Sequence, residues 1–108
     1  MKSIWERRHN THRAQVRCKA WVRSDSGAYR TAITVDVHDH GCQLWVGEAL
    51  GKNALVDLCL KLDEGEPIGL RALVAWCRPD RDTRGFRVGL AFTGGVSVDL
   101  RRLKRWFH

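Results

Sequence analysis

Between residues 14 and 92 the chain alternates apolar and polar side chains with a period of two, and a segment with that rhythm can bury one face only as a strand. Val16, Cys18, Ala20 and Val22 fall on one face, while Gln15, Arg17, Lys19 and Arg23 fall on the other. Ser24-Asp25-Ser26-Gly27 reads as a turn. In the next strand Tyr29, Thr31, Ile33, Val35 and Val37 alternate with Arg30, Ala32, Thr34 and Asp36, the first set being the apolar one. Asp39-His40-Gly41 interrupts the pattern, and Cys42, Leu44 and Val46 resume it. Further strands are expected over residues 54–62, 68–78 and 85–92. They are separated by the turn-rich segments Asp63-Glu64-Gly65-Glu66-Pro67 and Pro79-Asp80-Arg81-Asp82.

Six short strands in 108 residues must close or cover their sheet edges, which predicts a small antiparallel barrel or sandwich. After Gly94-Gly95 the period changes. Leu100, Leu103 and Phe107 fall at i, i+3 and i+7, Arg101, Arg102, Lys104 and Arg105 face away, and Ser97 is placed to cap a helix over about residues 96–107. The fold class is therefore all-β with a terminal helix, the helix capping one mouth of the barrel. A basic arm, residues 1–12, is expected to precede the folded unit, residues 13–108.

An apolar fraction of 44% with 29% charged residues suits one ordinary globular domain and excludes wholesale disorder or a fibrous repeat. No apolar run approaches the roughly 18 residues of a membrane helix. The first twenty residues carry seven charges, so neither a secretion signal nor membrane insertion is expected, and the cytoplasm is the expected compartment. The net charge of +7 is unevenly placed: +6 in residues 1–23, +4 in residues 101–108 and −3 between them. That distribution points to an anionic partner at one end of the molecule. Cys18, Cys42, Cys59 and Cys77 form no C-x-x-C pair, and buried reduced thiols are expected rather than a zinc or redox centre.

Two segments carry candidate chemistry. Arg7-Arg8-His9-Asn10-Thr11-His12-Arg13 sets three guanidinium groups and two imidazoles just before the first strand. Arginine forks bind phosphate oxygens bidentately, read guanine O6 and N7 in the same way, and stack on bases. At the junction of two strands, Asp36-Val37-His38-Asp39-His40-Gly41 supplies a carboxylate able to accept from guanine N1 and N2. It also supplies a glycine that permits a positive φ as the chain re-enters the next strand.

In this order and over this scaffold, the two segments resemble the PilZ domain, the bacterial receptor module for cyclic di-GMP. The family pairs an R-x-x-x-R motif before the first strand with a D/N-x-S-x-x-G motif at the next strand junction. Asp36 and Gly41 match the second motif in register, with Leu44 as its apolar continuation. Gly85-Phe86-Arg87-Val88-Gly89-Leu90-Ala91-Phe92 resembles the closing strand. The resemblance implies a six-stranded antiparallel barrel with a C-terminal helix and cyclic di-GMP as ligand, with no metal. It implies a ligand site of Arg7, Arg8, His9, Arg13, Asp36, His38 and Gly41. Two departures stand out. His38 replaces the family's serine with a bulky ring whose free form titrates near neutrality. Arg8 and Arg13 are separated by four residues instead of three, a displacement of up to about 3.4 Å along an extended chain, so that either Arg8 or His9 takes the first arginine's place.

Other readings compete. Asp36, His38, His40 and Cys42 share parity and invite a metal site, but the turn at Gly41 should divide them. Trp21 and Trp45 fall on polar strand faces, where they would stack on a base, anchor a partner or pack on an arginine stem. No catalytic motif is present, so an enzyme is not expected. Single-stranded nucleic-acid binding would show steep salt dependence; a localised basic arm suits a dinucleotide better, and neither DNA nor RNA is expected as partner. The resemblance further implies an unidentified protein effector in motility, pilus or exopolysaccharide control. The competing implication is a degenerate adaptor that works by protein contact without the ligand. With barrel and helix filling these 108 residues, the signal is expected to pass through such a contact.

Overall fold

A computed structural model describes residues 13–14, 18–24, 27–62, 65–95 and 97–107. The strands are β1 (Arg13–Ala14), β2 (Lys19–Ser24), β3 (Arg30–His38), β4 (Gly41–Val46), β5 (Leu55–Leu60), β6 (Ile68–Pro79) and β7 (Phe86–Gly95); helix α1 (Ser97–Phe107) follows. All pairings are antiparallel, in the order β3-β2-β5-β6-β7-β4, and β4 pairs back onto β3. This closes a six-stranded barrel without an unpaired edge among these strands. The two-residue β1 adds a short pairing to the far end of β3. The expected strands and helix are present among the described residues, each shifted by no more than a few residues; Gln15, Val16 and Arg17 of the first expected strand and Asp25 and Ser26 of the turn after it lie outside them.

The interior is aliphatic. Ala20, Val22, Leu44, Val56, Leu58, Leu60, Leu70, Val74 and Val88 are all buried and form one cluster, which Leu103 of α1 joins. The helix lies against β6 and β7, at the mouth where β6 begins and β7 ends. Asp99 in its first turn accepts the Gly69 N–H at 3.0 Å, and Lys104 and Arg105 sit in its last turn, so charge at both ends opposes the helix dipole. Among the described residues, no helix is long and apolar enough to cross a membrane.

The sequence pattern errs in β3. Ala32 and Thr34 are buried, whereas Tyr29 and Ile33, expected with the apolar set, are each 41% exposed. The reason is a β-bulge. Thr34 pairs with Leu44, but Asp36 pairs with Gln43, leaving Val35 as an extra residue. One inserted residue exchanges the two faces, so Thr34 and Val37 both point inward although three positions apart. The buried Thr34 hydroxyl is satisfied: its Oγ1 accepts the Cys18 N–H at 2.9 Å and lies 3.1 Å from Cys18 Sγ. Tyr29 lies outside, with the Arg23 guanidinium 4.5 Å from its ring centre. Arg23 in turn grips Asp57, the residue directly across from it on β5, at 2.9 Å. A second bulge, at Ala75 of β6, turns Trp76 outward and Cys77 inward.

The four cysteines are free thiols. Their expected burial holds fully only for Cys42; Cys18, Cys59 and Cys77 are half-buried.

Gly41 is also used differently from expectation. No glycine among the described residues has a positive φ. What Gly41 supplies is room: a β-carbon there would be driven into the backbone carbonyl of Leu90 on β7. Backbone cannot swing aside as a side chain can. Gly41→Ala is therefore expected to destabilise the barrel by about 1–3 kcal/mol, seen as a lower urea midpoint at unchanged slope. An unchanged midpoint would show that β7 yields at no cost.

Candidate functional site

The end of β3 gathers the sequence-predicted residues that the structure describes. Arg13 of β1 pairs with His38, and His38 pairs on its other side with Gly41. Gly41 continues the rung to Ala91 of β7. Asp36 lies two residues before His38 on the same strand and is only 6% exposed. Three positions from both sequence motifs thus share one rung, with the carboxylate of the second motif just behind it. Arg7, Arg8 and His9 lie outside the described residues, and Arg13 is described by its backbone alone.

A two-residue turn, Asp39-His40, joins β3 to β4. His38 supports it: the His40 N–H donates to His38 Nδ1 at 3.3 Å. A ring half-buried on the rung and tied to the backbone fills more of this position than a serine hydroxyl would. His40, 3.7 Å from Asp39, points to solvent with 88% of its side chain exposed.

Near the rung lie two thiols, Cys42 buried and Cys18 half-buried. Burial pushes the Cys42 thiol far above its ordinary pKa, with Cys18 and Asp36 adding to the shift. Burial also raises Cys18, partly offset by its hydrogen bond with Thr34. Both thiols therefore stay neutral at physiological pH and act as packing groups. The Asp36, His38, His40 and Cys42 series is divided between a buried position, a half-buried one and an exposed turn. Among the described residues, no group of three or more His, Cys, Asp or Glu side chains is arranged to hold a metal.

Residues 6–108 match the PilZ domain family. No curated protein matches the chain. Its fold is similar to that of the inhibitor of motility MotI/DgrA from Bacillus subtilis, with a TM-score of 0.72 at 13% identity, covering 88% of this chain and 47% of that one. The PilZ domain of CeSA from a cellulose-synthesising bacterium has a TM-score of 0.65 at 20% identity, covering 90% and 95% of the two chains. PlzA of Borreliella burgdorferi, solved in complex with cyclic di-GMP, has a TM-score of 0.53 at 16% identity, covering 83% and 32%. The chain thus spans about half the length of the B. subtilis protein. At these identities the likeness is one of fold.

The buried thiols have a measurable consequence. Cys42 keeps its proton in the fold at pH values where an unfolded thiol, with a pKa of about 9, has lost it. Stability is then undiminished below that pH and falls as the pH climbs above it, because the folded state holds more protons than the unfolded one. Thermal melts across the alkaline range should show this decline, and Cys42→Ala should flatten it. An equally steep decline in the variant would assign it to other groups.

Proposed function

Because the chain belongs to the PilZ domain family, we propose that it is a binding module for cyclic di-GMP that passes the signal on through protein contacts. The observation that carries this reading is the rung Arg13, His38 and Gly41 with Asp36 behind it, in which the last residue of the first motif segment pairs with the second motif. In this reading Arg8 and Arg13, helped by Arg7 or His9, hold the phosphates and one guanine face. Asp36 and Gly41 shape the guanine pocket, and His38 substitutes for the serine. Residues 1–12 act as a ligand arm, and a ligand held between arm and barrel changes the surface offered to a partner in motility, pilus or exopolysaccharide control. The chemistry asked of the site is recognition, so the module is regulatory rather than enzymatic. Its expected compartment is the cytoplasm.

One observation favours the adaptor reading instead: the His38 ring occupies the serine's place and is already bonded to the His40 backbone. Calorimetric titration with cyclic di-GMP separates the two. Wild type is expected to bind it in preference to GTP and cyclic GMP. Arg13→Ala should weaken binding by roughly one to two orders of magnitude, the loss of one bidentate arginine contact worth about 1–3 kcal/mol. His38→Ser, which restores the hydroxyl, should tighten it. Absence of heat up to about millimolar ligand would leave the adaptor reading. Equal binding by Arg13→Ala would move the site elsewhere.

A further inference from the structure

The outer wall of the barrel carries a second ordered set of residues. Following one rung from strand to strand, Lys19 of β2 pairs with Ile33 of β3, Ile33 with Trp45 of β4, Trp45 with Arg87 of β7, and Arg87 with Arg78 of β6. This belt crosses five strands. It exists because the Val35 bulge exchanges the faces of β3 and leaves Ile33 outside, 41% exposed, between a lysine and a tryptophan.

The belt is held rigidly. The Trp45 ring covers Gly85 so closely that a β-carbon there would overlap it, and Trp45 Nε1 donates to Thr83 Oγ1 at 2.7 Å. The same hydroxyl accepts the Gly85 N–H at 3.1 Å and donates to Asp80 Oδ2 at 2.8 Å, so its one donor and two acceptor positions are all used. Asp80 Oδ1 takes Arg87 Nε at 3.1 Å. These bonds hold the Asp80 carboxyl below its ordinary pKa, Thr83 contributing most and Arg87 next among the lowering contacts. Trp76 lies over Gly89 in the same manner, and the Arg78 guanidinium sits 4.9 Å from its ring centre.

The charges are not balanced in the same way. Arg78 and Arg87 stand directly opposite each other, a like-charge pairing that disfavours the sheet unless an anion lies nearby. Asp80 serves Arg87. Among the described residues, no carboxylate lies within ion-pairing distance of Arg78.

We propose that this belt is the docking surface for an acidic, apolar-containing segment of a partner protein. Carboxylates of the partner meet Lys19, Arg78 and Arg87, and an apolar side chain meets Ile33 beside Trp45. Neighbouring strands are about 4.8 Å apart, so the belt measures roughly 19 Å and an extended segment of about six residues covers it. Closure of the barrel leaves none of its six strands as an edge for the partner to extend, so recognition runs through side chains. A second copy of this chain is a poor occupant, since its belt would bring arginines onto arginines. Nucleic acid is disfavoured because a guanidinium already covers Trp76 and because Ile33 presents neither charge nor ring at the centre.

The test uses the full chain, isotope-labelled for NMR, and a fluorescent peptide alternating Glu with Leu and Phe. Saturable shifts of the Ile33 methyl signals and of the Trp45 and Trp76 indole N–H signals are expected. Binding should weaken at least tenfold in both Arg78→Glu and Ile33→Ser, with each variant's melting temperature showing that it folds. A control peptide with Lys in place of Glu should not bind. The proposal is overturned if the belt signals do not move up to about millimolar peptide, or if both variants bind as wild type does. It is likewise overturned if the Lys peptide or an oligothymidylate binds as tightly. Adding cyclic di-GMP separates this surface from the nucleotide site: ligand shifts confined to the end of β3 leave the belt standing whichever way the receptor reading falls.

Discussion

Closure of the barrel requires β3 to pair on both sides, with β2 over Arg30–Ile33 and with β4 over Ala32–His38, and the second pairing accommodates one extra residue. The bulge at Val35 is the constraint on which both surfaces depend. Without it a strict alternation would keep Ile33 and Val37 on one face. With it, Ile33 turns outward into the belt, Thr34 turns inward to hold Cys18, and Val37 packs in the core behind the rung of Arg13, His38 and Gly41. Bulges serve closed sheets in this way generally, by adding local twist and redirecting side chains. Here one insertion divides a nine-residue strand into a part that sets Ile33 on the outer wall and a part that ends on the rung of Arg13, His38 and Gly41.

Much of the architecture is legible in the sequence because local periodicity reports it directly. The alternation of Ala20 with Val22, of Cys42 with Leu44 and Val46, and the helical spacing of Leu100 and Leu103 all match the observed burial. The error in β3 has the opposite origin. A bulge is fixed by the partner strand, and nothing within residues 29–38 distinguishes a strand that slips by one from a strand that does not. Gly41 is a similar case: its type is readable, but its reason is the approach of Leu90, almost fifty residues away in sequence.

The candidate site is legible as two motifs, since each is a run of neighbouring residues; of the first, only Arg13 lies among the described residues, paired with His38. The belt was legible only in fragments. Trp45 stands out as an aromatic on a polar face, whereas the alternation places Ile33 with the apolar set and gives Arg78 and Arg87 no role. Their relation is a cross-strand register, which requires four separate pairings to be known at once. The two regions are nonetheless close in the chain: Asp36 and Ile33 are separated by the bulge, and their partners Gln43 and Trp45 lie on the same strand.

Placing aliphatic side chains inside and tryptophans on the wall also decides what light reports about this molecule. Among the described residues no aromatic side chain is fully buried; Phe86 and Phe92 only flank the core, and Trp21, Trp45 and Trp76 are half-exposed. Indole emission from these positions is therefore a readout of the exterior. A change in emission at constant circular dichroism would mark an event on the barrel wall, while the interior, built of valine, leucine and alanine, remains spectroscopically silent.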